Sequence, residues 1–105
     1  MVVYTIDYHD YIREGNEQYG VQDVCESLKD SLVLANSWID CAIKEIKKDI
    51  TVDPIDIEKL SKAKRTVDFS LGSILIQVGD ESEMLVAHIE EHKVASEVKA
   101  YKTTY

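Results

Sequence analysis

Seven residues, Cys25, Leu28, Leu32, Ala35, Ile39, Ala42 and Ile46, recur at alternating steps of three and four. That heptad stripe predicts a helix over 21–50, roughly 45 Å long at ~1.5 Å per residue. Neither Gly nor Pro interrupts it. A helix of that length needs long partners to cover its stripe, and the partners can be read further along the chain.

Thr51-Val52-Asp53-Pro54 ends the first helix and starts the next. Asp53 suits the N-cap, Pro54 the first helical position, and Asp56 puts negative charge in the first turn. A second stripe, Ile57, Leu60, Lys64, Val67, Leu71, Ile74 and Val78, predicts a helix over 54–78 closed by Gly79. Asp80 followed by Glu83 resembles a capping box, and Met84, Ala87, Glu91, Val94, Val98 and Tyr101 give a third stripe over 80–101. The fold class expected is therefore all-α: an antiparallel three-helix bundle in a single helical domain, 1–105. An α+β alternative competes at 66–78. Val67 to Leu71 alternates, Gly72-Ser73 can form a two-residue turn, and pairing 71 with 74 gathers apolar residues on one face. Helix is preferred because a hairpin of about 17 Å leaves much of the first helix uncovered. Within 1–20, Tyr4, Tyr8, Tyr11 and Ile12 fit a short helix, whereas Val2, Tyr4, Ile6 and Tyr8 fit a strand equally well.

Composition narrows the function classes. The 105 residues carry 20 acids against 12 bases, a formal net charge of −8, which disfavours direct nucleic-acid binding and attachment to anionic membranes. No apolar run reaches the roughly 18–20 residues of a membrane span. The N-terminal stretch lacks the basic and apolar regions of a secretory signal, so a cytoplasmic protein is expected. On one helix Cys25 and Cys41 would lie about 24 Å apart, too far for a disulfide. Both read as small packing residues.

In the bundle, acids from 23–30 and 80–83 meet at one end and Lys and Arg residues from 44–65 and 99–102 at the other. The N-terminal segment adds Asp7, Asp10, Glu14 and Glu17 to the acidic end, interleaved with Tyr4, Tyr8, Tyr11 and Tyr19. Tyrosine is a favoured interface anchor, and carboxylates around it steer a basic protein surface. Leu34, Trp38 and Cys41 form a second apolar patch, roughly 120° from the main stripe. It must pack on the N-terminal segment or on another molecule, so a homodimer is expected.

No nucleophile elbow, phosphate loop, dinucleotide fingerprint or calcium loop occurs, and no catalytic residue or cofactor is assigned. His88-Ile89-Glu90-Glu91-His92 spells the inverted zinc-protease signature H-x-x-E-H across five residues. On a helix, His88 and His92 would share a face as metal ligands, but Glu97 is the only acid after them to serve as a third. Helical phase instead turns Glu91 into the core beside Lys64, with Asp68 and His88 near, as a polar cluster between helices. The function expected is a non-enzymatic acidic interaction module, an adaptor or an inhibitor of the kind mobile elements encode. It would bind a basic protein partner through the Tyr-rich end or the Trp38 patch. A metal- or small-ligand-binding bundle using His88 and His92 is the alternative.

Overall fold

The computed structural model describes residues 1–13, 23–79 and 84–93. Along the chain run β1 (Val2–Asp10), β2 (Asp23–Cys25), α1 (Leu28–Lys48), α2 (Pro54–Lys62), β3 (Arg65–Ser70), β4 (Ser73–Val78) and β5 (Leu85–Lys93). The strands form one antiparallel sheet in the order β2-β1-β5-β4-β3. The fold is α+β, and the all-α helical bundle is corrected. Of the three helices expected, the first is shorter, the second stops after nine residues, and the third is replaced by the central strand over 85–93, with 80–83 and 94–101 outside the described residues.

Local chemistry explains the helices. The Ser27 side chain accepts from the Asp30 N–H at 3.0 Å and starts α1 there, not at 21. Lys47 and Lys48 sit in the last turn, where their charge suits the helix dipole. Ser31, Ala35, Ile39, Ala42 and Ile46 are its buried face, which keeps the last four members of the expected stripe. Cys25 leaves the stripe because it is the end of β2, opposite Tyr4. Asp53 caps α2 by accepting from the Ile55 N–H at 2.9 Å, with Pro54 at the first position. The helix ends at Lys62 because the next residues are poor helix formers: β-branched Thr66 and Val67, then Ser70, Gly72 and Ser73.

Those residues form the β3–β4 hairpin. Its loop is Leu71-Gly72, with Gly72 at φ 75°, and Phe69 faces Ile74, Val67 faces Ile76 and Arg65 faces Val78. The turn thus lies one residue before the Gly72-Ser73 turn considered for 66–78. The facing pairs move by two, so the same side chains stay on the same faces. At the other end of the chain, β5 pairs with β1 along its whole length, from Val2 opposite Lys93 to Asp10 opposite Leu85.

The sheet has two unlike faces. Tyr4, Ile6 and Tyr8, Leu85, Ala87 and Ile89, and Ile74, Ile76 and Val78 point to the α1 side. With Ile39, Ile46, Leu60 and Val52 they make the core. The second face has no helix over it among the described residues. It carries Thr5, Asp7, His9, His88, Glu90, His92, Leu75, Gln77 and Asp68.

Candidate functional site: the open sheet face

Period-two geometry brings all three histidines of the chain to the open face. His9 comes from β1, and His88 and His92 from β5. Asp7 stands directly opposite His88 and lies within 3.4 Å of its Nδ1. Asp7 also reaches His9 Nε2 at 3.5 Å. Glu90, one pleat further along β5, lies 3.7 Å from His88 Nδ1 and 3.6 Å from His92 Nε2. His92 Nε2 and Thr5 Oγ1 share a hydrogen bond of 2.9 Å. The Tyr11 ring stacks on His9 with centroids 5.8 Å apart. The result is a strip of alternating carboxylates and imidazoles along the two central strands. Val86 lies buried on this face between His9 and Gln77, apart from the main core.

The same geometry dismantles the zinc signature. On a helix, residues four apart stand one turn apart, but on a strand they are separated by roughly 13 Å at ~3.3 Å per residue. His88 and His92 therefore share a face without being able to share an ion. Glu91 points to the opposite face, and its N–H donates to the Gly72 carbonyl at 2.9 Å. Among the described residues, no three of His, Cys, Asp and Glu are grouped to hold a metal ion. The expected cluster of Lys64, Asp68, Glu91 and His88 does not assemble either. Asp68 and His88 share the open face with Leu75 between them, Glu91 is on the other face, and the Lys64 carbonyl accepts from Gly79.

The Tyr-rich end is partly interior. Tyr8 is only 3% exposed. Its ring stacks on Trp38 at 4.6 Å, and its hydroxyl donates to Asp23 Oδ2 at 2.7 Å. Trp38 thus packs on the N-terminal strand, while Leu34 and Cys41 beside it stay exposed. Asp10 is buried and accepts from the Ile12 and Arg13 N–H groups at 3.0 and 3.2 Å and from Arg13 Nε at 2.7 Å. Arg13 also donates from Nη1 to Glu45 on α1 at 3.1 Å. Asp10 therefore fastens the end of β1 to the helix layer. Tyr4 is half-buried against the core, and Tyr11 is exposed. Glu14, Glu17 and Tyr19 lie outside the described residues. Burial, with Asp23 and Asp30 nearby, pushes the Cys25 thiol up, which keeps it protonated and inert.

Asp7, with Tyr11 beside it, is the part of the expected binding set that the described structure places on the open face, in company the sequence did not suggest. Alternation over Ala87-His88-Ile89-Glu90 was the available signal, and the second acid, Glu91, masks it. No protein-family model, curated protein or solved structure matches the chain. No helix among the described residues is long and apolar enough to cross a membrane.

Proposed function

We propose that the protein is a non-enzymatic interaction module that binds a basic protein surface across the open face of its sheet. The observation carrying this reading is that the two central strands present a strip led by Asp7 and Glu90 on the face that no helix covers among the described residues. Carboxylates spaced along rigid strands suit Lys and Arg side chains of a partner, and the overall charge of −8 would steer such a surface inward. The neighbouring imidazoles and the exposed Tyr11 add hydrogen-bonding and stacking groups without a mobile loop. The buried Tyr8–Trp38 stack is better suited to holding the layers together than to meeting a partner.

The test is capture from the native cell with the double variant Asp7→Asn, Glu90→Gln. Both positions are partly or fully exposed, so the fold should be retained. Loss of a salt-sensitive partner relative to wild type supports the reading. Undiminished capture by the folded double variant sinks it.

A further inference from the structure

The two edges of the sheet differ sharply. β2 is three residues long, too short to template another strand. β3 is six residues long, every residue of it is exposed, and it contains no Pro or Gly, with Arg65 and Asp68 its only charges. Its α1-side residues are apolar where the helix does not reach: Phe69 is 72% exposed and Val67 42%.

The backbone of β3 points its unused groups outward in a fixed pattern. Gly79 N–H donates to the Lys64 carbonyl at 3.1 Å, which makes that facing pair a hydrogen-bonded one. By alternation, Thr66, Asp68 and Ser70 bond to β4. Arg65, Val67 and Phe69 are left with N–H and C=O groups directed away from the sheet.

We propose that β3 pairs with β3 of a second copy of this chain, antiparallel about a two-fold axis at Val67, to give a continuous ten-stranded sheet. The occupant is specified by self-complementarity. With Val67 opposite the second copy's Val67, each Arg65 faces a Phe69, and every outward N–H and C=O of these three residues on both chains finds a partner. Arg65 is already held by Asn36 Oδ1 at 3.1 Å and Asp40 Oδ1 at 2.6 Å, which leaves its aliphatic stem to pack beside the facing ring. Asp68 falls opposite Thr66 and accepts its hydroxyl. Sliding the pairing by two residues one way sets Asp68 against Asp68, a like-charge pair. Sliding it the other way leaves Phe69 beyond the paired strand and loses hydrogen bonds. α1 packs mainly over β1, β2 and β5, towards the opposite edge of the sheet.

The register makes the experiment specific. Facing residues of a hydrogen-bonded pair have Cα atoms about 5.5 Å apart, within reach of a disulfide. In a Cys41→Ser background of the full chain, Val67→Cys should cross-link into a covalent dimer under mild oxidation. Phe69→Cys, whose two copies would lie roughly 13 Å apart, should not. Cross-linking of both variants alike, or of neither, overturns the proposal. In sedimentation, wild type should show a concentration-dependent dimer, and Thr66→Asp should weaken it about tenfold by facing Asp68. Adding Asp68→Thr to that variant should restore it. A wild type that stays monomeric throughout, or a Thr66→Asp variant that sediments unchanged, overturns the proposal as well. Asp7→Asn with Glu90→Gln leaves the edge intact, so partner capture and dimerisation fail separately.

Discussion

Tyr8 holds three elements together: its backbone lies in β1, its ring against Trp38 of α1, and its hydroxyl on Asp23 of β2. Burial first, and then Asp23 as hydrogen-bond acceptor and as charge, push the phenol well above its ordinary pKa of 10.0. A raised phenol pKa means that the folded state holds the proton more tightly than the unfolded chain. This contribution to stability is complete below about pH 10 and is lost as pH rises through and beyond that value. Thermal unfolding followed against pH should therefore show a decline beginning near pH 10 that is smaller in Tyr8→Phe. At neutral pH the same variant should cost about 1–2 kcal/mol, because Asp23 loses its donor. An unchanged alkaline profile in Tyr8→Phe would assign the decline to other groups.

At the scale of elements, α1 meets the sheet through mostly small residues: Ser31, Ala35 and Ala42 beside Ile39 and Ile46. The Ser31 hydroxyl turns back to the Leu28 carbonyl at 2.7 Å, so even the polar member presents a compact surface. Ala35→Leu should overpack this interface and cost about 1–3 kcal/mol in denaturant unfolding. Leu34→Ala, one residue along on the exposed flank, should change stability by no more than about 0.5 kcal/mol. Equal effects at the two positions would contradict the orientation of α1. The stripe from Ala35 to Ile46 and the Asp53–Pro54 start of α2 were legible in the sequence because each depends on neighbours within one or two turns. The strands were not. Nine strand residues at ~3.3 Å each span about 30 Å, the length of twenty helical residues. Each of β1 and β5 can therefore match the length of α1 with less than half the chain a helical partner needs. The argument that only long helices could cover it missed this ratio. The heptad readings of 57–78 and 84–101 carried a helical period past the end of α2 and into strands, where neighbours on one face recur every two residues. Lys64 and Glu91, the one charged member of each of those stripes, marked the places where the helical period was wrong. The open-face strip was hidden for the same reason, since its members come together through β1–β5 pairing across nearly the whole chain.

For the molecule as a whole, stability is concentrated in the middle of the sheet. β1 and β5 are paired on both sides and lie under α1, whereas β2 and β3 are edges. Native-state hydrogen exchange should rank the amides of Asp7, His9, Ala87 and Ile89, which bond between the inner strands, among the slowest. Those of Arg65, Val67 and Phe69 should be among the fastest in dilute solution. Slow exchange along β3 with fast exchange along β5 would contradict the strand order. The order has a further consequence, in time. The innermost strand is also the last of the described strands to be made: Thr5 waits for His92, 87 positions later, before its hydrogen bond can form. A nascent chain emerging from the ribosome can wind α1 and turn the β3–β4 hairpin, since both are local. β1 must remain without its long neighbour until β5 has been synthesised. Folding of this sheet is therefore a closing event that joins the two ends of the described chain, with the slow kinetics that distant contacts impose.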